Sequence, residues 1–203
     1  MHILLSLKLK YKHMAPAKHL MLFYLFIALS AFTTACHNDS DTAEQTATAT
    51  KADSLEASRK LFRENMPATK GYVNDYEDIF TPQEEKTLGD QISAFEAKTS
   101  VEIAIVTFDT TMVARDSFDV MTKRIGEYWG VGKKEKNNGI IVGIGRRYHK
   151  IVIQDGDGVK AKIDDAAMKQ IVDTAFIPLY RQNQYYTGTL NGLNTIMSVL
   201  EKK

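Results

Sequence analysis

One cysteine, one tryptophan and four prolines in 203 residues set the first limits on this chain. With Cys36 alone, no internal disulfide can form, and neither thiol catalysis nor a Cys/His zinc site is available. Histidine is nearly as sparse: past residue 35 only His37 and His149 remain. A Ser-His-Asp triad would have to use His149, which stands in a polar turn, so hydrolysis of that type is not expected. A strong excess of one charge is also missing. The formal net charge is +1, and removing residues 1–35 takes away four lysines and no acidic residue, leaving −3. Nothing in that balance attracts nucleic acid. What is present, 44% hydrophobic and 25% charged residues, fits one ordinary globular domain with appendages.

The longest apolar run belongs to the leader. In "MAPAKHLMLFYLFIALSAFTTAC", residues 14–36, Lys18 supplies the positive start and Leu20 to Phe32 the apolar core. The run falls short of the roughly 20 residues that span a bilayer, which predicts a secretory signal over residues 1–35 rather than a permanent anchor. Met14 is read as the start, because the residues before it add nothing such a leader requires. Thr34 and Ala35 leading directly to Cys36 resemble the bacterial lipoprotein signal, although Thr33 stands where leucine is commonest. The resemblance implies lipidation of the Cys36 thiol and membrane attachment through its acyl chains. Ordinary cleavage nearby, leaving a free thiol, is the alternative. The expected location is the cell envelope, periplasmic or at the outer-membrane surface, and "HNDSD" after the cysteine resembles surface-export signals of some lipoproteins.

Residues 36–66 read as a flexible tether, polar and Thr/Ala-rich, with a short helix over "DSLEASRKLFREN". The domain proper is expected over 67–203. Thr81, Pro82 and Glu84 form a capping box at a first helix, which buries Leu88, Ile92 and Phe95. "VEIAIVTFD" is a nearly continuous apolar strand suited to burial on both faces. A second helix from Ser117 presents Phe118, Met121, Ile125 and Tyr128 and stops at Gly130. "NNGIIVGIGRRYHKIVIQDGDG" reads as an antiparallel hairpin turning at Arg146 to His149. A third helix from Asp164 or Asp165 is bent or ended by Pro178, and a last one buries Leu190, Leu193, Ile196, Met197 and Leu200. The order βαβαββαα predicts an α/β fold: a three-layer α/β/α sandwich on a small, mostly parallel sheet with one antiparallel hairpin.

The hairpin brings Asn137-Asn138, at the start of one strand, beside Asp155-Gly156-Asp157 at the end of the next. Such oxygen donors suit a hard cation, above all Ca²⁺. The same residues also suit a purely structural role, with Asp164 capping a helix, the asparagines shaping a turn and the glycines supplying positive φ. Asp155-Gly-Asp157-Gly-Val159 matches the D-x-D-x-[TV] form of nucleophilic-aspartate phosphatases. That chemistry needs further catalytic groups from a long α/β domain after the motif, whereas only 44 residues follow Val159. "GVGKKEKNNG" lacks the G-x-x-x-x-G-K-[ST] spacing of a phosphate-binding loop.

Taken in order, "YVNDYEDIFTPQEEKTL", "YWGVGKKEKNNGIIVGIG", "KIVIQDGDGVKAKIDD" and "FIPLYRQNQYYTGTLNGL" resemble the TPM domain family of secreted bacterial and thylakoid-lumen proteins, from about Gly71 to Leu200. The resemblance implies a single α/β/α sandwich. It also implies either a cation-binding accessory module of the envelope, serving a protein partner, or an acid phosphatase acting on phosphomonoesters. A structural protein-binding module is the third possibility. Asp75, Asn138, Gly139, Gly156, Gly158 and Asp165 match the family pattern. Asp157 stands for the usual tyrosine, Lys160 for an acid and His149 for an arginine. The metal-ligand candidates are Asp75, Asn138, Asp157 and Asp165. Asp75 joins them only if its segment crosses to their side of the sheet.

Overall fold

Two central strands buried on both faces organise the molecule. The structure is a computed structural model that describes residues 39–132 and 135–202; the leader, residues 1–35, and Cys36 lie outside the described residues. Strands β1 (Val73–Asp75), β2 (Glu102–Thr107), β3 (Gly139–Gly145) and β4 (Lys150–Asp155) form one sheet in the order β1-β2-β3-β4. β1, β2 and β3 are parallel, and β4 returns antiparallel beside β3. The hairpin turns at Arg146 to His149, where His149 takes a left-handed φ of 49°.

Successive residues of β2 and β3 feed two separate cores, as the two-residue period of a strand requires. Ile103, Ile105, Ile140, Val142 and Ile144 face one side, while Ala104, Val106 and Ile141 face the other. The first face is covered by α2 (Pro82–Thr99), through Leu88, Ile92 and Phe95, and by the C-terminal helices. The second is covered by α3 (Phe118–Trp129), through Phe118, Met121 and Ile125. The architecture is therefore the three-layer α/β/α sandwich expected. Both crossovers step the same way across the sheet, from β1 to β2 and from β2 to β3, yet their helices lie on opposite faces. They cannot share one hand, so one runs against the strong right-handed preference of parallel connections.

Local signals act as the residues suggest. Thr81 accepts from the Glu84 amide while the Glu84 carboxylate accepts from the Thr81 amide, which closes the capping box. Gly130 ends α3 in the left-handed conformation. Tyr128 does not share the buried stripe of α3: it is 55% exposed.

Helix α1 (Asp39–Glu64) extends through the segment expected to be a tether. Its alanines and long polar residues favour helix, and its last turns are fixed by tertiary contacts. Phe62 packs edge-on to Phe108, and Arg59 Nε donates to the Thr110 carbonyl at 3.0 Å. After β4 comes a single turn, α4 (Asp157–Lys160), where a glycine loop was expected. α5 (Asp165–Ile171) follows, capped by the Asp164 carboxylate on the Ala167 amide. It widens into a π-helical turn at Val172–Phe176, in which the Ile177 amide bonds to the Val172 carbonyl. Pro178, with no amide hydrogen to donate, sits at the start of α6 (Ile177–Tyr180), and this is where the expected bend occurs. α7 (Tyr185–Lys202) closes the first face with Leu193, Ile196, Met197 and Leu200.

Candidate functional site

The hairpin carries Asn137 and Asn138 into β3 and Asp155 out of β4, at the edge of the sheet where the parallel strands begin. Ile140 pairs with Asp155, and the ladder continues one step further as the Gly156 amide donates to the Gly139 carbonyl at 3.0 Å. Asn137 takes a φ of 44°, which aims its carbonyl at the Gly158 amide, 2.9 Å away. Four glycines make this crossing possible. A Cβ on Gly156 would strike the Asn137 carbonyl, and one on Gly158 the Lys136 carbonyl. A Cβ on Gly139 would strike the Val131 carbonyl, and one on Gly132 the Gly139 backbone. Of the four only Gly132 needs positive φ, at 96°; Gly156 sits at −79°. The G-x-G glycines are required for close backbone approach, not for the positive φ expected of them.

Around this interlocked backbone the polar side chains divide into structural and open groups. Asn138 is buried, and its amide donates to the Ser100 carbonyl at 2.5 Å. The Asn137 amide donates to Asp157 Oδ2 at 3.1 Å. Lys160 Nζ lies 3.1 Å from Asp165 Oδ1. Asp155 differs from these: its Oδ2 is buried and accepts no hydrogen bond from the protein. Burial, with the negative charges of Asp165 and Asp157, pushes its carboxyl above the ordinary aspartate value, against the opposing pull of Lys160. Asn137, Gln154, Asp155, Asp157 and Lys160 line a cavity of about 420 Å³.

Asp75 stands at the other edge. It pairs in register with Thr107, the last residue of β2, while Glu102 at the start of β2 pairs with Gly139. Five residues of strand separate the two edges, on the order of 17 Å. Asp75 Oδ1 accepts from the Thr107 hydroxyl at 2.5 Å, and Oδ2 from the Ile79 and Phe80 amides at 2.7 Å each. It is fully engaged in shaping the turn into α2. The four metal-ligand candidates therefore do not meet: Asp157 and Asp165 flank Lys160 at one edge, Asn138 is tied to Ser100 beside them, and Asp75 is remote. Among the described residues no group of three or more His, Cys, Asp or Glu side chains is arranged to hold a metal ion.

That far edge holds an acid the sequence reading passed over. Glu77, 6% exposed, accepts from the Arg146 and Arg147 amides at 2.6 and 2.9 Å and so pins the hairpin turn to the exit of β1. Burial raises its carboxyl above the ordinary glutamate value although those amides pull it down. Arg147 Nε also reaches Asp109 Oδ2 at 3.4 Å. The available signal was three acids within four residues, Asp75, Glu77 and Asp78, immediately after a strand.

The TPM domain profile matches residues 73–199, well over half of the chain. The chain belongs to the TPM domain family. The TPM fold recurs in two solution structures. The N-terminal domain of a protein from P. gingivalis is 23% identical with a TM-score of 0.58, covering 64% of this chain and 82% of that one. BA42 from the psychrophilic bacterium Bizionia argentinensis is 20% identical with a TM-score of 0.54, covering 63% and 85%. At these identities the likeness is one of fold. Among curated proteins none matches significantly. Within this TPM domain, W-G-x-G, N-G and G-x-G are three sides of a single backbone crossing, which explains physically why they occur together.

Proposed function

We propose that this TPM-domain protein is a lipid-anchored component of the cell envelope, acting as an accessory or interaction module that binds a divalent cation, Ca²⁺, at the Asp155–Asp157 loop. The observation that carries the reading is the buried Asp155 Oδ2, which accepts no hydrogen bond, on a residue that lines a polar cavity together with Asp157 and Asn137. A buried carboxylate oxygen without a hydrogen bond is costly, and a hard cation offsets that cost. Asp155, Asp157 and the Asn137 side-chain oxygen would hold the ion, with water completing the six to eight oxygens Ca²⁺ takes. Asp165 contributes only if Lys160 releases it. Bound Ca²⁺ would supply charge and rigidity where the hairpin, α4 and the loop after α3 meet.

Anchoring rests on the residues before Cys36, and mass spectrometry of the mature N-terminus tests it: an acylated Cys36 is expected, and an unmodified thiol would overturn it. Titration calorimetry tests the cation site. The full chain is expected to release or absorb heat with Ca²⁺, and Asp155→Asn combined with Asp157→Asn is expected to abolish that signal. An unchanged signal in the double variant would place the cation elsewhere.

A further inference from the structure

A second cavity lies between α1, the loop before α3 and the hairpin turn, remote from the Asp155 loop. About 720 Å³ in volume, it is lined by Arg59, Ala114, Arg115, Asp116, Tyr148 and Lys150. Its two guanidinium groups are fixed by neutral oxygens and by no carboxylate. Arg59 donates from Nε to the Thr110 carbonyl and from Nη2 to the Tyr148 hydroxyl at 3.3 Å. Arg115 donates from Nη1 to the Tyr148 carbonyl at 2.5 Å. Tyr148 is itself locked, its hydroxyl donating to the Val113 carbonyl at 2.7 Å and its ring edge-on to Phe118. Two acids stand nearby: Asp119 pairs with Lys150 at 2.5 Å, and Asp116, which lines the cavity, accepts at Oδ1 from the Ser117 hydroxyl at 3.1 Å and keeps its charge.

Each guanidinium has five N–H donors, and the contacts above use two on Arg59 and one on Arg115. Two planar donor groups hydrogen-bonded to one tyrosine, neither in an ion pair among the described residues, offer a donor set for a tetrahedral oxyanion. We propose that Arg59 and Arg115 bind a phosphate group against Tyr148. Because Arg59 belongs to α1, an occupied site would also hold that helix against the domain.

The phosphate could come from a soluble metabolite or from a lipid headgroup, and two probes separate them. Pyrophosphate is titrated into the full chain by calorimetry. Separately, recovery on phosphatidylglycerol vesicles is compared with recovery on phosphatidylcholine vesicles, since an acyl anchor contributes equally to both. Arg115→Gln is expected to weaken the bound probe about ten-fold, the order expected for one charge-assisted hydrogen-bonding group. Arg115 is exposed, so its variant keeps the fold, checked by thermal unfolding; Arg59→Gln gives the second arm. Pyrophosphate binding sensitive to Arg115 supports a soluble source. An Arg115-dependent preference for the anionic vesicle supports a headgroup. Binding of neither probe, or binding that Arg115→Gln leaves unchanged, overturns the proposal.

Discussion

Aspartates that look alike on paper do different work in this molecule. Asp75 accepts three hydrogen bonds at one edge of the sheet, whereas Asp155 has a buried oxygen with none at the other. Asp75→Asn is therefore expected to destabilise the fold by about 1–3 kcal/mol, read by urea denaturation, while leaving Ca²⁺ binding intact. The Lys160 ammonium sits against Asp165, near Asp155 and Asp157. It competes with any added cation, so Lys160→Met is expected to strengthen Ca²⁺ binding several-fold by calorimetry; weaker binding would mean that Lys160 organises the loop. Glu77 gives a pH signature. Its folded-state carboxyl is raised, so the native state holds an extra proton between the ordinary glutamate range and that raised value. The stability it contributes is present below that window and is lost as pH rises through it. Compared with Glu77→Gln, the wild type is expected to lose stability across this window, measured by denaturation at successive pH values. The ligand types were legible in the sequence. Which acid was satisfied was not, because Asp75 is engaged through Thr107, 32 residues away.

Elements with strong local signals matched the reading, and those set by tertiary contacts did not. The capping box at Thr81, the hairpin turn at Arg146 and the stop at Gly130 each depend on residues within one turn of chain, and each is where the sequence indicates. The last turns of α1 are fixed by contacts distant in sequence, Phe62 on Phe108 and Arg59 on the Thr110 carbonyl. Phe62→Ala, removing a half-buried ring, is expected to cost about 1–2 kcal/mol and to raise amide exchange selectively in α1. The glycine motifs were visible, but their reason was not: a linear sequence does not reveal that Asn137 passes over Gly156. Gly156→Ala, at an ordinary negative φ, is expected to destabilise by at least about 3 kcal/mol, because the Cβ would meet backbone and not a side chain that can move.

For the whole molecule, the alternating order of elements gave the layers, but the pair of crossovers of opposite hand is a property no local pattern carries. It has a functional consequence. The chain leaves β1 toward one face and β2 toward the other, so the edge holding Asp75, Glu77 and Asp109 is the kind of switch point where open α/β sheets commonly bind ligands. The cation site proposed at Asp155 and Asp157 lies at the opposite edge, where the hairpin ends. Amide spectra of the labelled full chain during Ca²⁺ titration decide between the edges most directly. Saturable shifts at Asn137 and from Asp155 to Lys160 are the predicted result. Shifts confined to Asp75–Asp78 and Asp109, or no shifts at all, would contradict it.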